Sequence, residues 1–392
     1  MNRRSALAIA VLTAAVLLLA GQLLRAVSDP RFWPPDDFVE YWCAGWLNLR
    51  GENPYDPARM YALEQEIGWD IGQAVMMWNP PWTLSLTMPL GLLQWRVAQF
   101  VWFLVKLGIL VYCADRLWRV YGGPVERVWV AWAVTFGFVP TLVALHVGQI
   151  SPFLLLGATL FVTLEKSGRP VLAGAACVLL AAKPHLAYLF WLAVAVDAVA
   201  MRRPGFILGG ALGGVAASLW PLAENPAVFE QYSASLRDHP PAQWMSLTAG
   251  TLLRIVFGPE HFWLQFVPMV PGVAWFVYDG YANGLRNRAW ADRVPWLLFV
   301  SFVTAPYGAW PYDLVLLLVP VIALTTRLAG ADGASVRLPA AIGFAAVNLA
   351  MLAINASEVK SVWLIWVAPV LFLLALAIHR RLAAPPRRLA AA

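Results

Sequence analysis

Residues 81–95 read PWTLSLTMPLGLLQW, and whether this stretch crosses a bilayer decides on which side every later loop lies. It has about 15 residues and contains Pro81 and Pro89, which is short of the ~20 apolar residues that a membrane helix needs. Such a piece suits a re-entrant or interfacial segment, whose backbone polar groups find partners in protein or at the membrane surface.

Around it, composition sets the class. Of the 392 residues, 60% are apolar and 13% are charged, against about 25% charged in a soluble domain. Apolar runs fall near 6–24, 97–115, 128–145, 151–165, 170–182, 186–200, 206–222, 262–282, 295–305, 312–328, 337–353 and 361–379. They give an all-α, polytopic transmembrane helical bundle of about twelve spans. The expected organisation is one integral membrane domain over 1–392, with extracytoplasmic loops at 25–96 and 224–260. The start, MNRR before an apolar run, has no A-x-A cleavage site and reads as a retained first helix. Cys43, Cys113 and Cys177 are odd in number and far apart, which argues against a disulfide framework or a thiolate metal site.

Charge then arbitrates on 81–95. If this segment does not cross, most of the 28 basic residues gather on one side, among them Arg116, Arg119, Arg127, Lys166, Arg169, Arg202, Arg203, Arg327, Arg380 and Arg381. The positive-inside rule makes that side the cytoplasm and places both termini in it. If 81–95 crossed, Arg116 to Arg127, Lys166, Arg169, Arg202 and Arg203 would lie outside, so that version is rejected. The basic excess sits in short loops and is read as a topology signal, with no nucleic acid among the expected partners.

The accepted topology collects the polar motifs on the extracytoplasmic side: PPDDFVEYWCAGWLNLRGENPYDP (34–57), NPPW (79–82), HVGQIS (146–151), AAKPH (181–185) and PYGAWPYD (306–313). An outward-facing site built from loops between helices follows. In the first motif Phe38, Tyr41, Trp42, Trp46 and Leu49 share one helix face, the pattern of an amphipathic helix in the membrane interface. Asp37 is placed as its N-cap with Glu40 as the capping-box partner, and Gly51 ends it. Asn53-Pro54-Tyr55-Asp56-Pro57 forms a turn before a second surface helix over Met60 to Ile71.

The order D-F-x-x-Y-W, G-x-N-P-Y-D, N-P-P, G-Q-x-S, K-P and P-Y-x-x-x-x-Y-D, spread from Asp37 to Asp313, resembles glycosyltransferase family 87, within the GT-C class of polytopic transferases. The resemblance implies a helical bundle with an outer cavity, acting in the cell membrane. It also implies transfer of a hexose, often mannose, from a polyprenyl-phosphate donor to a lipid or glycan acceptor. Membrane lipids, the lipid-linked donor and that acceptor are the expected partners, and the donor is a substrate, so no cofactor is expected.

The residues agree with such chemistry. There is no Gly-rich phosphate loop and no cytoplasmic D-x-D for a nucleotide sugar. Inverting transfer needs a general base for the acceptor hydroxyl and donors for the departing phosphate. Asp37 is the candidate base, the counterpart of the family's first-loop aspartate, with Asp36 beside it. Lys183, His185 and His146 are candidates for phosphate; Gln149, Tyr307, Tyr312 and Asp313 for sugar hydroxyls, with Tyr41 and Tyr55 from the first motifs.

Bland roles compete with each of these. Asp37 and Asp313 suit helix caps, Lys183 can snorkel from a helix end, and interfacial histidines can bond to backbone. Lys106, inside a span, is read as having a structural partner, and Gly205, Gly209 and Gly213 as a helix-packing seam. No His, Asp and Glu cluster marks a metal site. Rival functions are a transporter or flippase, which should show internal repeats and polar groups at the midplane, and a polymer ligase of the same fold.

Overall fold

The computed structural model describes residues 29, 33–200, 202–284, 288–330, 334–357 and 361–383. The span expected at 6–24 and both chain termini lie outside the described residues. Within them every regular element is helical and no strand occurs. The first loop forms α1 (Phe38–Asn48), α2 (Pro57–Glu66) and α3 (Leu84–Gly91). There follow α4 (Trp95–Val120), α5 (Trp129–Phe136), α6 (Val139–Val147), α7 (Ser151–Lys166), α8 (Pro170–Leu180), α9 (Tyr188–Ala200) and α10 (Gly205–Glu224). The long second loop carries α11 (Val228–Asp238) and α12 (Ala249–Phe257). The chain closes with α13 (Met269–Asn283), α14 (Trp290–Val303), α15 (Leu318–Ala329), α16 (Ala334–Ala356) and α17 (Val367–Ala383).

Five helical segments are long and apolar enough to cross a membrane: Trp95–Val120, Gly205–Glu224, Pro311–Ala329, Ser335–Ala356 and Val362–Leu382. The pair Val125–Phe136 and Val139–Val147, bent by 63°, makes a sixth if counted as one. The described residues thus hold 5 to 6 such spans, where the hydropathy reading expected about twelve. The other apolar runs are interrupted. Pro152, Pro170 and Pro184 each open a new helical element at its first turn, where the missing amide costs nothing and the ring ends what precedes it. In the bent pair Phe138 is extended (φ −89°, ψ 111°), and the amide of Val139 donates to Asn348 Oδ1 at 2.7 Å. Two of these interruptions carry polar motifs, HVGQIS and AAKPH.

The segment 81–95 forms a 3₁₀ turn over Pro81–Thr83, the eight-residue α3, and the start of α4 at Trp95. Eight residues rise about 12 Å, far less than a bilayer core. α3 packs against α1 through two glycines. A Cβ on Gly45 would collide with the Thr87 carbonyl, and one on Gly91 would come within 2.5 Å of the Trp46 amide nitrogen.

That packing changes the expected character of α1. Every residue of α1 except Trp46 is buried, so it lies inside the bundle and not in the membrane interface. Its polar residues find protein partners: Asn48 Nδ2 donates to the Pro221 carbonyl at 3.2 Å. The cap assignment changes too. Asp37 occupies the N-cap position with no side-chain cap bond, and the first amides of α1 bond back to the carbonyls of Pro35, Asp36 and Asp37. It is Asp36, at φ +47°, whose carboxylate accepts a local amide, that of Asp37, at 2.9 Å. Gly51, at φ +70°, turns the chain after α1 as expected.

Two structural readings stand. Lys106 donates to the carbonyls of Ala144 and Leu145 at 2.8 and 3.2 Å, at the C-terminal end of α6. The glycine seam of α10 lets it press on α8, with Gly209 against the Val171 carbonyl and Gly213 against that of Ala175.

Candidate active site

Gln149 organises the site. Gly148 ends α6 at φ +88°, and a Cβ there would lie 2.5 Å from the Cβ of Phe38. Glycine therefore lets this turn touch the start of α1, while Trp102 Nε1 holds the Gly148 carbonyl at 2.6 Å. The next residue, Gln149, is 3% exposed. Its Nε2 donates to Asp37 Oδ2 at 2.7 Å and to Glu40 Oε1 at 3.2 Å. Its Oε1 accepts from the Tyr41 hydroxyl at 2.7 Å, which fixes the orientation of the amide. Tyr41 is buried and accepts from the Ile150 amide at 3.4 Å.

A second cluster adjoins the first. Lys183, at the break between α8 and α9, bonds both oxygens of Asp313 at 2.9 and 3.1 Å. Its ammonium also lies 4.8 Å from the centre of the Tyr312 ring. Asp313 is fully buried, and accepts from Ser151 Oγ at 2.5 Å and from the Trp310 amide at 3.0 Å. It therefore both caps the 3₁₀ turn Pro311–Leu317 and balances Lys183. The lysine reaches the site with its charge matched, retaining donor capacity on a three-donor ammonium.

Two cavities meet here. An open groove of about 670 Å³ runs between α6 and α16, with Asp37 and His146 among walls of Val139, Leu142, Val143 and Leu352. A second cavity of about 310 Å³ is lined by Glu40, Gln149 and Lys183 together with Trp78, Trp244 and Tyr307. Trp310 and Tyr312 line both. His185 faces the second cavity, stacked 5.0 Å from Tyr307, with Nε2 3.4 Å from the Gly308 carbonyl. Tyr55 faces neither: it is buried, donates to the Asn79 carbonyl at 3.0 Å and packs 5.1 Å from Tyr232, bracing the N-P-P segment. Asn79 in turn donates to the Ala182 carbonyl at 3.1 Å, joining that segment to AAKPH.

Burial separates the titrations. It raises the Asp37 carboxyl to about 6, opposed by the Gln149 hydrogen bond and raised further by the charge of Asp36. It raises Glu40 to about 8, with Asp37 adding to the effect. Asp36 is also raised by burial, against the opposing bond from the Asp37 amide and the charge of His146. Burial and then Lys183 push His185 down to about 4. Near neutral pH the cluster thus presents an ionised Asp37 beside a protonated Glu40, with His185 neutral. One ionised and one protonated carboxyl, side by side at a cavity junction, can accept a proton and donate a hydrogen bond without both being charged.

The structure brings together Asp36, Asp37, Tyr41, His146, Gln149, Lys183, His185, Tyr307, Tyr312 and Asp313, and leaves Tyr55 one layer behind. Sequence reasoning missed Glu40, Ser151, Trp244 and Trp310. Glu40 had a signal, since it lies three residues after Asp37 and shares its helix face. Ser151 lay within the quoted G-Q-x-S. Nothing in sequence spacing joins Trp244 or Trp310 to the cavity.

Comparison with curated proteins and with solved structures finds no match. A family match covers residues 78–306, taking in N-P-P, G-Q-x-S and K-P, and beginning after Asp37. Since it spans more than half of the 392 residues, the chain belongs to glycosyltransferase family 87.

Proposed function

We propose that this glycosyltransferase moves a hexose, mannose being the first candidate, from a polyprenyl-phosphate donor to a lipid or glycan acceptor, with inversion. The observation that carries this is the position of Asp37: an ionisable, half-buried carboxylate where an apolar groove meets an aromatic cavity. The groove between α6 and α16 suits a prenyl chain, and His146, which lines it, is the candidate for the phosphate. The rings of Trp78, Trp244 and Tyr307 suit stacking on sugar faces, with Lys183, Gln149 and Tyr312 for hydroxyls or phosphate.

In this reading Asp37 takes the proton of the acceptor hydroxyl as its oxygen attacks the anomeric carbon. The bond from that carbon to the phosphate oxygen breaks, and the polyprenyl phosphate leaves with the electron pair. Protonated Glu40 holds Gln149 and keeps a second negative charge away from the base. A GT-C arrangement with about twelve spans, a cell-membrane location and an extracytoplasmic site belong to the same proposal. It is supported by the gathering of the motifs at one end of the helices.

The test is transfer of radiolabelled sugar from short-chain polyprenyl-phosphate mannose, glucose or arabinose to total lipid extract, with wild type beside Asp37→Asn and Asp36→Asn of matched thermal stability. Transfer of mannose or glucose by wild type and Asp36→Asn but not Asp37→Asn supports the assignment, and transfer from the arabinose donor alone overturns the hexose reading. Equal transfer by Asp37→Asn removes the base role, and absence of transfer from every donor overturns the polyprenyl-phosphate donor assignment.

A further inference from the structure

The segment Pro311–Ala329 has the active-site residue Asp313 at one end and Arg327 at the other. From Asp313 to Arg327 the helical rise gives a separation of about 21 Å. Around Arg327 lies a further cavity, of about 440 Å³, lined by none of the residues assigned to glycosyl transfer. It opens between the end of α4 and helices α14, α15 and α17.

Its rim is polar. Arg327 Nη1 lies 2.7 Å from His379 Nδ1, so the ring accepts there and its Nε2–H is left as a donor. No carboxylate among the described residues pairs with Arg327. Arg288 also reaches the rim, held by both Asp279 oxygens at 3.1 and 3.2 Å and by the Asp292 carbonyl at 3.2 Å. Asp292 shares the rim, and Arg380 and Arg381 follow on the last turn of α17. Tyr121 lines the cavity, and its hydroxyl is buried without a hydrogen-bond partner among the described residues. A ligand oxygen that reaches this hydroxyl would supply the partner it lacks.

The wall is apolar, made by Pro295, Trp296, Phe299, Pro320 and Leu324. An inorganic anion gains nothing from it, whereas an acyl chain does.

We propose that this cavity binds an anionic phospholipid, its phosphate at Arg327, His379 and Tyr121 and its chain on the Trp296–Phe299–Leu324 wall. Charge complementarity selects the headgroup, and the basic end of a membrane protein is where anionic lipids gather. The site is independent of the donor and acceptor assigned above.

The test uses the full-length protein, delipidated in a zwitterionic detergent and examined by native mass spectrometry with phosphatidylglycerol, phosphatidylcholine or inorganic phosphate. Wild type should retain phosphatidylglycerol in clear preference to phosphatidylcholine. Arg327→Gln should bind phosphatidylglycerol about tenfold more weakly, as loss of one charge-assisted contact predicts. Tyr121→Phe and His379→Gln should each weaken it less, and they serve as readouts if Arg327→Gln does not fold. Phosphatidylcholine binding as well as phosphatidylglycerol, or unchanged retention by the folded variants, overturns the proposal. Displacement of phosphatidylglycerol by equimolar inorganic phosphate makes the site one for a free anion and overturns the lipid assignment.

Discussion

Asp37 and Glu40 stand one helical turn apart and share the Nε2 of Gln149, at 2.7 and 3.2 Å, yet burial lifts one to about 6 and the other to about 8. Asp37 as base must be ionised, so transfer should rise with pH through about 6. Asp37→Asn should lose about 100-fold or more of kcat/KM with its melting temperature retained, measured on the same preparations. Glu40 has a different signature. Its folded pKa lies above the ordinary 4.5, so above that pH the unfolded chain releases a proton that the folded chain keeps. Folding therefore becomes less favourable as pH rises from 4.5 towards about 8. Glu40→Gln removes this penalty, and its thermal stability relative to wild type should grow from pH 5 to pH 8. A constant difference across that range would show that Glu40 is ionised in the folded protein. Lys183 and Asp313 make a third residue-scale case, being 12% and 0% exposed in their side chains. Lys183→Met strands a buried carboxylate and should cost about 3 kcal/mol, read by thermal unfolding. Adding Asp313→Asn should return much of that loss, since no unpaired charge then remains.

At the scale of elements, glycines decide how closely helices approach, and two of them separate site from scaffold. Gly148 has φ +88° and would carry its Cβ 2.5 Å from that of Phe38. Gly148→Ala should push the start of α1 away from Gln149 and cut transfer more sharply than stability. On the far seam, a Cβ on Gly174 would meet the Phe206 carbonyl. Gly174→Val should lower stability by about 1–3 kcal/mol while the folded fraction keeps its kcat. A paired thermal-shift and transfer assay on the two variants distinguishes these outcomes. α1 shows why periodicity alone misplaced a helix. Its apolar stripe predicts one buried face, but α3, α10 and the turn at Gly148 cover its polar side as well, where Glu40 accepts from Gln149 and Asn48 Nδ2 donates to the Pro221 carbonyl.

For the whole molecule, the polar motifs gather at one end of the helices and many of the arginines at the other. α7 begins at Ser151, bonded to Asp313, and ends at Lys166, bonded to the Val120 carbonyl. Arg127 likewise reaches the Ala329 carbonyl at 2.8 Å. On the proposed topology the arginine end is cytoplasmic, as the positive-inside rule expects. Cys43, Cys113 and Cys177 are all buried, so the native thiols should give little background labelling. His239 and Arg169 are exposed. In intact cells His239→Cys should react with a membrane-impermeant maleimide, and Arg169→Cys should react after permeabilisation alone. The reverse pattern would invert the topology and place Asp37 in the cytoplasm.

The sequence alone determined the helical membrane class, because 60% apolar residues in repeated runs leave no soluble alternative. It also determined most of the residues that meet at the site, because motifs at helix breaks must satisfy free backbone and side-chain polar groups somewhere common. It did not determine the number of full-length spans, since a proline within an apolar run can end a helix or be carried through it, and hydropathy reads both alike. Only the tertiary structure decided that Asp37 is bonded to Gln149 while Asp36 takes the local amide, that Lys183 arrives neutralised by Asp313, and that Tyr55 stands behind the cavity. Each of these depends on contacts such as Asp37 to Gln149 and Lys183 to Asp313, between residues 112 and 130 positions apart, and local patterns carry no information about which distant partner reaches a polar group first.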